Sequence, residues 1–160
     1  MKITDVEVIV VRQDEVKMIG DGSQDTAVIL VHTDEGITGI GEVLKAANPH
    51  MTIWAVEPEN AAILSGGSIG THIQMGIGDG VIPVILNQEI YEDVSIIKDE
   101  EALETSKLLA AKEGIMCGIS SGTNVAAAIK MAKIFGKGKR VVTVLPDTAE
   151  RYFSTPLFDD

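Results

Sequence analysis

The stretch Gly118-Ile119-Ser120-Ser121-Gly122-Thr123 carries the residue types best suited to chemistry: two adjacent hydroxyls between glycines, leading into a helical pattern. Such hydroxyls can cap free backbone N–H groups, or serve as donor or acceptor to a ligand ring. On local grounds capping is the favoured use. A second candidate is Gly76-Ile77-Gly78-Asp79-Gly80, where missing side chains allow backbone N–H groups to approach a ligand, or simply form a tight turn. Other chemistries find less support. His32, His50 and His72 are scattered, and no HExxH or CxxC spacing occurs, so no metal site is assigned. Cys117 lies among Ile115, Met116 and Gly118, an apolar setting that raises a thiol's pKa and makes it a core residue rather than a nucleophile. Gly39-Ile40-Gly41 lacks the third glycine of a dinucleotide fingerprint, and no Gly-Lys-Ser/Thr is present. Trp54, inside an apolar run, reads as core.

The elements that must position these residues come in two styles. Ile3 to Val11 alternates with a period of two and predicts a half-buried antiparallel strand. Met18 to Asp25 reads as a mobile loop, Ala27 to His32 as a second strand, and Thr33-Asp34-Glu35-Gly36 as a hairpin turn, together a β-meander. Residues 37–47 fit a return strand or a helix. Leu44, Ala46 and Ala47 favour a helix from about Gly39. Beyond it, Thr52 to Val56 predicts a buried parallel strand ended by Glu57-Pro58, and Ile63 to Gly80 an ordered glycine-rich loop. Val94 to Ile97 is a further strand, followed by a helix capped by Asp99 and stopped at Gly114. Ser121 opens another helix that ends at Gly136, and Val141 to Leu145 is a strand stopped by Pro146. The tail is expected to fray beyond Phe158. The fold class is therefore α/β, a parallel-sheet layer with flanking helices, preceded by a short antiparallel β segment. Ser120 then falls where a strand-like segment meets a helix, at the carboxyl edge where such sheets bind ligands.

The chain has 160 residues, 45% of them hydrophobic and 23% charged, enough for a core without staples. Thirteen Lys and Arg against 24 Asp and Glu give a net charge of -11, which disfavours nucleic acid and anionic membrane surfaces as partners. A single cysteine permits no internal disulfide and fits a reducing, cytoplasmic setting. Met1 to Val11 is broken by Lys2, Asp5 and Glu7, so it lacks a signal-peptide core, and no apolar run reaches membrane-spanning length.

From about residue 37 to 158 the chain resembles the C-terminal part of the cysteine synthase family, the O-acetylserine sulfhydrylases among fold-type II pyridoxal-phosphate enzymes. The segments that carry the resemblance are ITGIGEVLKAANPHMTIWAVEP, ILSGG, GIGDGVIP, DEEALETSKLLAAKEGI, GISSG and LPDTAERYFST. The resemblance implies pyridoxal 5'-phosphate as cofactor, with Ser120 facing its pyridine nitrogen. It implies that this neutral hydroxyl leaves the nitrogen unprotonated and moderates the ring as an electron sink suited to β-elimination. It further implies that Gly76, Ile77 and Gly78 line the substrate side, with a small amino acid as substrate and a homo-oligomer as assembly. The family's phosphate loop, usually GTGGT, falls on His32-Thr33-Asp34-Glu35-Gly36, where Thr33 alone matches and two carboxylates replace glycines. Two like charges 4 Å apart repel by about 4 kcal/mol at an effective dielectric near 20, roughly a thousandfold in affinity. The family's Schiff-base lysine stands in a Ser-Val-Lys-Asp-Arg type context that no lysine here has, and Ala149 replaces a usual glycine. No catalytic residue is therefore assigned, and the isolated chain is expected to be inactive in β-replacement.

Residues 1–43 resemble the N-terminal capping segment of the mandelate racemase and muconate-lactonizing branch of the enolase superfamily, with MIGDGSQD as the counterpart of its flap. The two resemblances overlap at GITGIGE, which implies a hybrid chain with a β-meander segment over 1–36 and a cysteine synthase-like domain over 37–160. Two other readings follow: a non-enzymatic oligomeric or partner-binding α/β module, and an enolase-type racemase or lyase fragment. The last lacks the metal ligands that such chemistry requires.

Overall fold

A computed structural model describes residues 7–8, 26–31 and 36–158. Among the described residues five strands form one sheet in the order β1-β5-β2-β3-β4, where β1 is Glu7–Val8, β2 Thr26–Val31, β3 Thr52–Pro58, β4 Asp93–Ile97 and β5 Arg140–Thr143. The helices are α1 (Gly36–Ala47), α2 (Asp99–Glu113) and α3 (Ile119–Phe135).

Every described strand pairing is parallel. The antiparallel β segment expected at the front is thus not what forms at Glu7–Val8 or Thr26–Val31. β2 lies inside the sheet, with Ala27 opposite Thr52 on one side and Val141 on the other. The physical reason lies in α1. A 12-residue helix between β2 and β3 is a crossover, and a crossover returns the chain to the same end of the sheet, which makes the next strand parallel. Helix rather than return strand is therefore the outcome over residues 37–47. The remainder of the alternating strand at Ile3 to Val11, the loop at Met18 to Asp25, the turn residues Thr33 to Glu35 and the end beyond Phe158 lie outside the described residues.

Alternation along β3 divides the core between two faces. Ile53 and Ala55 are fully buried with Met51 and Ile90, and Leu44 of α1 packs against them. Val56 joins Ile97, Ala102 of α2, and Ile119, Ala127 and Met131 of α3 on the opposite face. Trp54 is partly buried on that face, its ring centroid 6.3 Å from that of Phe135. Glu57 is buried at the end of β3, and accepts from Leu64 N (2.9 Å), Ser65 N (3.0 Å) and Ser65 Oγ (2.5 Å), which ties the chain after the strand to the sheet edge. The chain steps from β2 to β3 to β4, then returns across the sheet to β5 on the other side of β2. Strand order therefore reverses between β2 and β5, the place where parallel sheets open a ligand crevice at their carboxyl ends.

Candidate functional site

Helix α3 begins at Ile119 with Gly118 as N-cap, and no side chain caps it. Ser120 and Ser121 are buried inside its first turn, and neither hydroxyl performs the capping favoured from sequence. Both turn to Asp147, just past β5: Ser121 Oγ donates to Asp147 Oδ1 at 2.9 Å and Ser120 Oγ to the same oxygen at 3.3 Å. Tyr152 Oη donates to Asp147 Oδ2. An ionised acceptor makes stronger hydrogen bonds than a neutral one, and a negative group is favoured beside a helix N-terminus. A Cβ on Gly118 would overlap the Asp147 carboxylate and the Tyr152 ring, so this approach admits only glycine.

Burial, then the neighbouring Asp147, pushes the Tyr152 phenol up to about 12. Burial likewise raises the Cys117 thiol to about 11, again with Asp147 adding to it. Cys117 is buried and forms an isolated antiparallel bridge with Thr148, in keeping with its reading as core. Ala149, where glycine is usual in the resembled family, fits: it is buried in the core with its N–H on Met116 O at 3.3 Å.

The glycine loop is held against the same helix. Gly76 and Gly78 have φ of 84° and 70°, and Ile77 between them is buried. A Cβ on Gly78 would run into Pro58 and His72, whereas one on Gly76 would meet nothing within 4 Å. His72 Nε2 is 3.2 Å from Gly78 O. The principal anchor is Gln74, fully buried. Its Nε2 donates to Ile97 O (3.0 Å) at the end of β4 and to Asp99 Oδ1 (2.8 Å), and its Oε1 accepts from Thr123 Oγ1 of α3 at 2.8 Å. Asp99 Oδ2 also accepts from Ile73 N at 3.0 Å. Asp99 thus anchors the loop instead of capping α2, whose N-cap is Lys98.

The structure therefore brings the α3 head and the Gly76–Gly78 loop together, joined by Thr123 and Gln74. Thr33 lies outside the described residues. His50 is exposed on a turn, and among the described residues no cluster of three His, Cys, Asp or Glu could hold a metal. Sequence reasoning gave no role to Gln74, Asp147 or Tyr152. A carboxylate directly after Pro146, at the carboxyl end of β5, was the available signal for Asp147. Gln74 had none, since a glutamine in a glycine-rich loop reads as solvated.

A family model described as pyridoxal-phosphate dependent enzyme matches residues 9–147. The chain belongs to this family. The match begins at residue 9, within the segment read as resembling an enolase-superfamily cap, so most of that segment also falls in the pyridoxal-phosphate family. The cysteine synthase of Staphylococcus aureus (strain MW2) is 50% identical over 132 residues, which cover 81% of this family member and 43% of that protein. Among solved structures, the cysteine synthase of Entamoeba histolytica superposes with a TM-score of 0.81 at 36% identity, over 87% of this chain and 42% of that one. The O-acetylserine dependent cystathionine beta-synthase of Helicobacter pylori gives a TM-score of 0.77 at 33% identity, over 85% and 44% of the two chains. The chain thus spans less than half the length of these relatives.

The family implies pyridoxal phosphate. The described part of the site suits its ring: a buried hydroxyl stands at the head of α3, and the adjoining loop presents glycine backbone. The neighbourhood also keeps hydrogen-bonding capacity in reserve. Asn124, one turn beyond Ser120, donates its Nδ2 to Val144 O at 2.7 Å while its buried Oδ1 has no partner. No helix among the described residues is long and apolar enough to cross a membrane.

Proposed function

We propose that this chain supplies the cofactor-ring and substrate-side walls of a β-replacement site of the cysteine synthase type, which converts O-acetylserine and sulfide to cysteine. The observation that carries the reading is the buried Ser120 hydroxyl at the head of α3, joined to the Gly76–Gly78 loop through Thr123 and Gln74. When bound, pyridoxal phosphate supplies an electron sink for bond changes at the substrate's α-carbon. Ser120 meets the ring nitrogen. The backbone of Gly76, Ile77 and Gly78 receives the amino acid, and Gln74 with Asp99 keeps that backbone in place. Thr33 contributes to the phosphate side.

In this reading residues 37–160 form the unit that carries the site, and residues 1–36 add strands to its sheet. The setting is cytoplasmic, and the assembly is a homo-oligomer that covers the exposed Val81, Val84 and Ile85. The chain alone is inactive, because none of its lysines has the Schiff-base context and Asp34 and Glu35 oppose the cofactor phosphate. The test is an absorption titration of the purified chain with pyridoxal phosphate, followed by O-acetylserine and sulfide with cysteine quantified. Cofactor taken up without cysteine formation is the expected result. Turnover would overturn the inactivity, and an unchanged cofactor spectrum would overturn the site.

A further inference from the structure

Asp79 stands apart from the other aspartates among the described residues. Asp99 accepts from Ile73 N and Gln74 Nε2, Asp147 from three hydroxyls, and Asp93 from the next amide, Val94 N, at 2.8 Å. Asp79 is exposed, and among the described residues no hydrogen bond or ion pair holds its carboxylate or the Gly80 N–H. It is also the one described aspartate followed by glycine. That glycine is required twice over: its φ is 77°, and a Cβ there would lie 2.6 Å from Ile69 Cδ1. The anchors of this loop, Gln74 and the His72–Gly78 contact, all precede Asp79 in the chain.

We infer that Asp79-Gly80 is a site of self-modification, at which the chain converts aspartate to isoaspartate without an enzyme. The Gly80 amide nitrogen attacks Cγ of the Asp79 carboxyl group. As the N–Cγ bond forms, the Cγ–OH bond breaks, and the hydroxyl leaves with the amide proton as water, closing a five-membered succinimide. Water then reopens the ring. Opening at Cγ restores aspartate, whereas opening at the main-chain carbonyl carbon breaks its bond to Gly80 N and leaves the chain running through Cγ. The water released is the water consumed, so mass and oxidation state are unchanged and no co-reactant is needed. Glycine permits the attack because it lacks a Cβ beside its nitrogen and has the widest range of backbone angles. An amide committed to a helix or strand hydrogen bond has neither freedom. The product adds one methylene to the main chain directly after Gly78, between the turns that pack on Pro58, His72 and Ile69. The loop then loosens from its unanchored end while Gln74 still holds the other. This chemistry goes beyond the proposed function and requires no ligand at α3.

The test is to age the purified, folded chain at neutral pH and body temperature. Samples are then denatured and cleaved with endoproteinase Asp-N, which cuts before aspartate and not before isoaspartate. Loss of the cut between Gly78 and Asp79 is expected to run at least about ten times faster than loss of the cut before Asp93, whose neighbour is a β-branched residue in a strand. A smaller ratio overturns the inference. Peptide mapping keeps the signal apart from Asp21-Gly22, which lies outside the described residues. The peptide that resists cleavage is expected to accept a methyl group from protein isoaspartate methyltransferase, and a lost cut without methylation overturns the chemistry. Hydrogen exchange over residues 76–80 is expected to quicken as the chain ages and to stay level in Asp79→Glu, whose longer side chain would have to close a six-membered ring. Equal quickening in both chains overturns the link between this residue and the loosening of the loop.

Discussion

Helices α2 and α3 approach closely at Gly122, and replacing it by alanine measures how rigidly the α3 head is held. A Cβ there would lie 2.9 Å from Ser106 N and well inside 3.0 Å of both the Ala102 carbonyl oxygen and Ser106 Oγ. Two of the three obstacles are backbone, which cannot rotate away, and Ser106 is itself engaged with Gly118 O at 2.9 Å. Relief requires the helices to part by on the order of 1 Å, and overpacking of this kind costs about 1–3 kcal/mol or more. Alanine recovers about 1 kcal/mol of helix propensity over glycine. With both helix backbones in the way the upper end of that cost applies, leaving a net loss of about 2 kcal/mol. For a chain of this size the loss corresponds to a Tm lower by roughly 4–8 °C. Gly41→Ala in α1 is the internal comparison, since its Cβ would meet only side-chain atoms of Ile90 and Ile53, the nearest at 3.0 Å. That substitution gains the same propensity against a neighbour able to yield, and its Tm is expected to stay level or rise. Thermal unfolding followed by circular dichroism distinguishes the two. Equal tolerance of both substitutions would refute the close α2–α3 contact as the constraint that fixes the height of Ser120.

Other outcomes follow from the buried polar groups. Glu57→Gln removes the charge from three hydrogen bonds, and urea unfolding is expected to show a loss of about 1–3 kcal/mol. Gln74→Leu strands the Thr123 and Asp99 partners at a similar cost of about 1–3 kcal/mol. Hydrogen exchange should then accelerate over residues 73–80 first, with the sheet amides little changed. The raised Cys117 and Tyr152 values mean that the folded chain holds both protons more tightly than the unfolded one. Their contribution is complete below pH about 9 for Cys117 and about 10 for Tyr152. It is lost as pH climbs through about 11 and about 12 respectively, so stability measured against pH should fall over that alkaline range. In the same samples thiol reagents should label Cys117 slowly at neutral pH, and rapid labelling of the folded chain would contradict its burial.

Much of this architecture is legible because single residues speak for whole elements. Pro146 stops β5 within a few residues of its expected end, Gly114 and Gly136 close α2 and α3, and the apolar run Ile53 to Val56 of β3 has no polar alternation that would permit a solvated face. The direction of β2 was not legible in its own six residues, because an apolar β-branched run suits parallel and antiparallel neighbours alike. Its direction is set by the helix that follows, an element whose own period was ambiguous. Ser120 and Gly76–Gly78 stood out because paired hydroxyls and alternating glycines are uncommon. The partners that fix them stayed hidden, since the Gln74–Thr123 bond joins residues 49 apart and Ser121–Asp147 residues 26 apart. Capping by Ser120, Ser121 and Asp99 was the natural local reading, and distant polar groups overrode it in each case.

The contact between Trp54 and Phe135 has a practical corollary. Phe135 closes the C-terminal end of α3 and Ser120 sits 15 residues earlier, about 22 Å away at the helical rise per residue. The lone indole of this chain is thus a fluorescent gauge at the opposite pole from the crevice, out of reach of direct contact with anything bound there. The absorbance of a bound chromophore follows occupancy, and quenching of the indole by energy transfer across that distance follows it in the same cuvette, while the emission of the empty chain follows the seating of α3 on the sheet.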